Sequence, residues 1–237
     1  MKTKTLIPAF VLAAAAAVPA VSMAGDTTGN VGWVSEYVFR GIFQNSSSAY
    51  AGVDYAGDKG FYMGTWWADV GQGTETDLYA GYTGGNKDKV TYKIGYTGYR
   101  YIDDFDGKYD ELNLGLYAGI FALDVALGKY DGDTLYNVGN QNYTFTSLTF
   151  TPKKGPYYKL GFWSGDFKSN VLFPNYKSAS GSADYLEVGY GYHMDEPGID
   201  LSAAMTYSPN LIVAGGGSTG DYTLVFGIKK SFAMKKK

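Results

Sequence analysis

The 237-residue sequence contains no cysteine and one histidine, His193. The absence of cysteine excludes disulfide bonds, thiol catalysis and thiolate metal sites. One imidazole without a neighbouring nucleophile motif supports neither a catalytic triad nor a metal site. We therefore expect no enzyme, no resident metal and no cofactor.

Long hydrophobic runs are also scarce. The one clear run, residues 6–18, follows Lys2 and Lys4 and precedes small residues at Ser22 and Ala24, which is the order of a secretory signal peptide. A membrane anchor is the less favoured alternative, because Pro8 interrupts the run and it is shorter than the roughly 20 residues that span a bilayer. The sequence predicts a signal peptide at residues 1–24 and one mature domain at residues 25–237.

Basic residues are not in excess. Removal of Lys2 and Lys4 leaves 18 of the 20 basic residues, against 23 acidic residues. A mildly acidic chain is a poor partner for nucleic acid, so we expect no nucleic-acid binding.

Tyrosine and glycine, by contrast, are abundant, at 23 and 33 residues. Glycine is unfavourable in helices, whereas tyrosine is enriched in strands and at membrane interfaces. Alternation between turn signals predicts about twelve strands, most of them about 9 to 11 residues long, as in tilted strands that cross a bilayer core. The predicted ranges are 31–40, 49–56, 60–69, 75–84, 89–101, 109–118, 120–130, 141–151, 157–165, 183–194, 199–208 and 221–232.

The predicted connections tend to alternate in length. Short ones lie near 57–59, 85–88, 119, 152–156 and 195–198, and most of the others are longer: 43–48, 102–107, 131–140, 166–182 and 209–220. Short turns on one rim and long loops on the other are typical of outer-membrane barrels. We therefore predict an all-β fold, a closed antiparallel transmembrane β-barrel of about 12 strands with short periplasmic turns and long external loops. A secreted soluble β-sandwich is the alternative.

The stretch SEYVFRGIFQ, residues 35–44, suggests which face meets lipid. In an extended strand Glu36 and Arg40 share one face, and Tyr37 and Phe39 share the other. A basic residue facing lipid near the midplane costs about 2 to 4 kcal/mol, so we expect the charged pair in the lumen and the aromatic pair against acyl chains. The same alternation yields seven acidic and four basic pore-lining candidates: Glu36, Arg40, Asp54, Asp77, Lys93, Glu111, Asp124, Lys159, Glu187, Asp200 and Lys229.

The segments SEYVFRGIFQNSSSAYAGVDYAGDKGFYMGTWWADV, residues 35–70, and DLYAGYTG, residues 77–84, resemble the TorF-like porins, a bacterial outer-membrane family of similar length. Later strands match in style, as does the closing FGIKKSF, residues 226–232. Such barrels usually end on an aromatic residue that the barrel-assembly machinery reads, and here Phe232 is followed by AMKKK. The resemblance implies a barrel in the bacterial outer membrane, with outer-membrane lipid, lipopolysaccharide and that machinery as partners.

Two functions are compatible with these features. The first is a porin or channel for passive, cation-favouring diffusion of small polar solutes. The second is a non-conducting surface protein whose long loops, especially residues 166–182 with Val171, Leu172 and Phe173, bind a partner or stabilise the envelope. Barrels of about 8 strands are filled and those of about 16 to 18 are open, so twelve strands leave an open and a plugged lumen both possible.

An acidic segment, IDDFDGKYDE at residues 102–111, holds Asp103, Asp104, Asp106 and Asp110. Carboxylate oxygens are the ligands that Ca²⁺ prefers, but the spacing is not that of an EF-hand loop. A solvated acidic loop, bridging lipopolysaccharide through divalent ions at most, is the favoured interpretation.

Overall fold

The computed structural model describes residues 25–86, 88–102, 106–132, 139–166, 185–208 and 221–234. The predicted signal peptide, residues 1–24, and the cluster of Val171, Leu172 and Phe173 lie outside these ranges. Within them, no helix is long and apolar enough to cross a membrane. The strands are β1 Asp26–Phe39, β2 Ile42–Ala56, β3 Phe61–Asp69, β4 Thr74–Asn86, β5 Val90–Ile102, β6 Tyr109–Ala118, β7 Phe121–Tyr130, β8 Gln141–Phe150, β9 Tyr157–Gly165, β10 Tyr185–Met194, β11 Ile199–Ser208 and β12 Asp221–Met234.

These strands form one closed sheet. Each strand pairs antiparallel with the next, and β1 pairs with β12 from Thr27↔Met234 to Val34↔Gly227. Closure leaves no sheet edge, so the barrel satisfies its backbone hydrogen bonds from strand to strand. The prediction of a closed antiparallel barrel of twelve strands is confirmed.

The two ends of the barrel differ in their connections. Turns such as 57–60, 119–120 and 195–198 define a short-turn end, where β1 begins and β12 ends. Connections such as 131–140 and 209–220 define a long-connection end.

The first connection departs from this pattern. The prediction of a loop at residues 43–48 is wrong, because these residues belong to β2 and pair with β1, as in Glu36↔Ser46. Only Arg40 and Gly41 separate the two strands. Their φ angles are 50° and 84°, and two positive φ angles match the twist of a two-residue hairpin turn. A non-glycine residue adopts this conformation rarely, so Arg40 is held there by its surroundings.

Side chains alternate between an apolar outside and a polar inside. The outward face carries many exposed large hydrophobic residues, which include Met63, Leu78, Ile94, Leu114, Leu160 and Leu224. Buried residues of the inward face include Asp77, Lys93, Glu111, Ser147, Lys159 and Glu187. A continuous apolar exterior of this kind is a liability in water and a requirement in a bilayer.

Inward tyrosines lie over glycines of the neighbouring strand. Gly161 pairs directly with Tyr185, and Gly128 with Tyr143. A Cβ atom on Gly161 would lie 2.0 Å from the ring of Tyr185, and one on Gly128 would lie 2.1 Å from the ring of Tyr143. The missing side chain therefore gives each ring room against the wall, which accounts for part of the high content of both residues.

Candidate functional site in the barrel interior

The hairpin between β1 and β2 leaves the barrel wall. Backbone pairing of β1 with β12 stops at Val34, and pairing of β2 with β3 stops at Tyr50. Residues 35–47, here called the inner hairpin, carry a register shift between Tyr37 and Val38 and a positive φ of 59° at Ser47. The inner hairpin bends into the barrel at the long-connection end, where it contacts residues of strands that include β4, β6, β9, β11 and β12.

The tip of the inner hairpin forms a buried ion pair with β6. The two terminal guanidinium nitrogens of Arg40 donate to Oε1 and Oε2 of Glu111 at 2.6 and 2.9 Å. Glu111 also accepts hydrogen bonds from the hydroxyls of Tyr99 and Tyr143 at 3.0 and 2.8 Å, and from Asn113 Nδ2 at 2.9 Å. A buried ion pair is tolerated only when its hydrogen bonds are satisfied in this way.

Three aromatic rings surround the same guanidinium group. Its central carbon lies 4.7 Å from the ring centroid of Phe39, 4.6 Å from that of Phe145 and 5.7 Å from that of Trp163. Contacts of this length between a cation and a ring are favourable, and more so away from water.

The backbone of the tip is held as well. Trp163 Nε1 donates to the carbonyl oxygen of Arg40 at 3.0 Å, and Ser208 Oγ donates to that of Gly41 at 3.0 Å. A Cβ atom on Gly41 would lie 2.7 Å from the ring of Tyr185, so the tip packs closely against β10. The turn therefore packs against β9, β10 and β11 as well as β6.

A second contact joins the inner hairpin to β4. The hydroxyl of Tyr37 donates to Glu75 Oε1 at 2.8 Å, and its ring packs edge-on against Trp66 at 5.7 Å. Asp77, the next inward residue of β4, is 3% exposed, and its Oδ1 atom has no hydrogen-bond partner among the described residues. The charges of Glu75, Glu111 and Arg40 all act on Asp77. Three carboxylates therefore share this level of the barrel with one guanidinium.

The expectation for the stretch 35–44 needs correction. Tyr37 and Phe39, expected to face lipid, are instead part of the interior, since Tyr37 is 4% exposed and Phe39 packs against Tyr99. Glu36, expected in the lumen, is half-buried and accepts a hydrogen bond from exposed Ser46 at 2.9 Å, outside the buried cluster. Arg40 is buried in the interior as expected, and Val38 on the same face is buried too. Because the inner hairpin bends away from the wall, residues of both of its faces are enclosed near the tip.

The other charged candidates line the interior of the wall. Asp77 and Glu111 lie beside the inner hairpin, as described above. The remaining seven are nearer the short-turn end: Asp54, Lys93, Asp124, Lys159, Glu187, Asp200 and Lys229.

Most of these charges have protein partners. Asp124 accepts a hydrogen bond from Tyr117 at 2.7 Å, and Glu187 accepts one from Tyr157 at 2.6 Å. Lys159 lies directly across from Glu187.

His193 belongs to the short-turn end. Its Nδ1 atom lies 2.6 Å from Oδ1 of Asp200, directly across from it on β11, and Lys229 lies across from Asp200 on the other side. This arrangement is a cross-strand polar row without a nucleophile, which fits a structural role for the imidazole.

Several residues of the interior were not predicted from the sequence. They are Glu75, Tyr99 and Trp163. Each lies an even number of positions from a predicted inward residue of the same strand, namely Asp77, Lys93 and Lys159, and therefore faces inward as well. Phase along each strand would have found them, but aromatic residues had been assigned to the lipid face.

Metal ligands do not converge in the described residues, where no group of three or more His, Asp or Glu side chains is placed to hold an ion. In the acidic segment, Asp106 accepts hydrogen bonds from Tyr109 and Tyr130 at 3.1 and 2.9 Å, and Asp110 pairs with Arg100 at 2.7 Å. Asp103 and Asp104 lie outside the described residues.

The barrel is similar to solved porin structures. It superposes on the KdgM porin with a TM-score of 0.53 and 10% identity, covering 86% of this chain and 99% of that one. It superposes on the NanC porin with a TM-score of 0.56 and 12% identity, covering 85% and 98%. No curated protein matches the sequence. At this identity the likeness concerns the fold. A bacterial family of unknown function, Gcw_chp, matches residues 18–232, and the chain belongs to that family.

Proposed function

We propose that the protein is an outer-membrane channel for small polar solutes, with a preference for cations, and that the inner hairpin closes its long-connection end. The observation that carries the proposal is a charged interior enclosed by an apolar exterior. The resemblance to the TorF-like porins and the shared fold with the KdgM and NanC porins support it.

The proposed orientation follows from the ends of the barrel. A signal peptide at residues 1–24 would carry the chain out of the cytoplasm, the short turns would face the periplasm, and the long connections would meet lipopolysaccharide. Phe232 is exposed on β12 and pairs with Gly29 of β1, where barrel-assembly machinery could read it at the seam.

The inner hairpin is the part of the interior best suited to move. Its backbone pairs only with itself between residues 35 and 47, so it can swing out without breaking the ladders that close the barrel. Wall strands cannot move in this way, because each is paired on both sides.

The cation preference rests on the carboxylates beside the hairpin. Glu75, Asp77 and Glu111 are all buried at this level, and Arg40 supplies the opposing charge. A ring of carboxylates at a constriction favours cations, and it would do so most strongly once Arg40 has swung away.

Single-channel recording from refolded, monodisperse protein in planar bilayers tests the proposal. We would compare the wild type with a variant in which an Asn-Gly turn replaces residues 36–46. The wild type should conduct weakly or intermittently, and the shortened variant should conduct steadily, with cations more permeant than anions. Absence of conductance from both folded proteins would overturn the proposal.

The alternative is a non-conducting surface protein whose long loops bind a partner or stabilise the envelope. The buried Arg40–Glu111 pair favours it, since the carboxylate of Glu111 accepts five hydrogen bonds from groups of the closed interior. Deletion of residues 167–182 separates the two functions. It should abolish partner binding in a surface protein and leave conductance intact in a channel.

A further inference from the structure

We infer that the barrel wall around Glu111 is a binding site for guanidinium-bearing cations, and that Arg40 is a tethered ligand occupying it. This inference rests on the proposed channel function and names the class of solute that the channel recognises.

The recognition groups belong to the wall and not to the inner hairpin. Tyr99 and Asn113 donate to Oε2 of Glu111, and Tyr143 donates to Oε1. These donors come from β5, β6 and β8, so none of them leaves with the hairpin when it swings out. The site is therefore prepared before its ligand arrives, which lowers the cost of binding.

The geometry favours a guanidinium over an ammonium ion. Two nitrogens of Arg40 meet the two oxygens of Glu111 at 2.6 and 2.9 Å, a paired contact that a single ammonium nitrogen cannot reproduce. Phe145 and Trp163, both from the wall, lie 4.6 and 5.7 Å from the central carbon. A planar, weakly hydrated cation suits such rings better than a strongly hydrated one.

The charge around the site also exceeds what Arg40 neutralises. Asp77 is 3% exposed, its Oδ1 atom has no partner among the described residues, and it interacts electrostatically with Arg40, Glu75 and Glu111. A ligand with a further donor beyond its guanidinium group could satisfy this oxygen, which Arg40 does not.

Occupancy of this site links recognition to opening. A free guanidinium solute and Arg40 compete for one carboxylate, so solute binding and insertion of the inner hairpin exclude each other. Because Arg40 is tethered, its effective concentration is high, and a solute displaces it only when abundant.

The test uses Arg40→Ala in the full barrel, titrated with ethylguanidinium by isothermal titration calorimetry in detergent micelles. The matched probe is propylammonium, which has the same charge but only one nitrogen and so cannot make the paired contact. We expect saturable binding of ethylguanidinium at least about tenfold tighter than propylammonium, the discrimination that one charge-assisted hydrogen bond provides. Wild type, with its site occupied, should bind far more weakly, and Arg40→Ala combined with Glu111→Gln should lose the binding.

Equal affinity for both probes, or binding that persists in the double variant, would overturn the inference. If Arg40→Ala does not fold alone, the yield of folded barrel with each probe makes the same comparison: a gain specific to ethylguanidinium supports the site, and equal yields refute it. Conductance of the same proteins is recorded separately. If the barrel conducts but does not bind ethylguanidinium, the inference fails and the proposed channel function stands. If it binds ethylguanidinium but does not conduct, the binding site stands and the channel function fails.

Discussion

Arg40 and Glu111, 71 positions apart in the sequence, form a bidentate ion pair that joins the tip of the inner hairpin to β6 inside the barrel. The neighbouring residue, Asp110, pairs with Arg100 instead, and both of those side chains are about one-third exposed at 33% and 37%. Glu111 and Asp110, which are adjacent in β6, thus form a buried ion pair and a partly exposed one, respectively.

This contrast predicts unequal costs of removal. Glu111→Gln leaves the guanidinium of Arg40 buried without its counter-charge, and should lower the free energy of unfolding by about 3 to 5 kcal/mol. Asp110→Asn removes a solvent-screened pair, and should cost about 0 to 1 kcal/mol. Urea unfolding in lipid vesicles, followed by tryptophan fluorescence, measures both. Equal losses would contradict the buried pair.

Packing of tyrosine over glycine predicts a sharp response to a single methyl group. Gly161→Ala places a Cβ atom against the ring of Tyr185 and should lower the free energy of unfolding by about 1 to 3 kcal/mol through overpacking. Gly139→Ala is the matched control, since a Cβ atom there meets no atom within 4 Å. The same unfolding assay applies, and a neutral Gly161→Ala would show that the ring has room to shift.

Asp77 and Glu187 should respond in opposite directions to loss of charge. Asp77 is buried with an unpartnered oxygen among other carboxylates, so Asp77→Asn should raise the free energy of unfolding by about 1 kcal/mol. Glu187 accepts a hydrogen bond from Tyr157 and faces Lys159, so Glu187→Gln should lower it. A loss of stability in Asp77→Asn would mean that its carboxylate is compensated.

The absence of cysteine makes the lipid-facing surface directly testable. Spin labels on single cysteines at Val125 and Leu201 should be accessible to oxygen dissolved in the bilayer and shielded from a water-soluble relaxation agent. Leu201 is 38% exposed on the outward face, while Ser202 beside it turns inward and provides the control. Aqueous accessibility at both outward positions in native vesicles would remove the membrane assignment.

Sequence patterns predicted the wall of the barrel well. From β3 to β12 the predicted strand boundaries agree with the structure within two residues. Most of these strands have alternating apolar and polar side chains, although β3 and β8 do not sort cleanly, and turns or loops rich in Gly, Pro, Asp or Asn bound them. Local signals suffice there because the wall presents lipid on one side and a polar interior on the other.

The inner hairpin could not be predicted by the same reasoning. Asn45 and the serines at 46–48 are typical of loops, and Arg-Gly is not the Asn-Gly pair that marks a two-residue turn. Tyr37 and Phe39 face neither lipid nor solvent but the interior of the barrel, where long-range partners such as Glu75 and Trp163 decide their orientation. Alternation alone distinguishes two environments, and the hairpin occupies a third.

The position of this hairpin beside the seam bears on how the barrel closes. β1 pairs with β2 from Asp26 to Phe39, and it forms the seam with β12 from Thr27 to Val34. Pairing of β1 with its chain neighbour β2 does not need the seam, so the hairpin can form before β1 meets β12, and its tip need not be threaded through a finished cylinder. Pairing of β1 with β12 at the seam would then also enclose the tip of the inner hairpin.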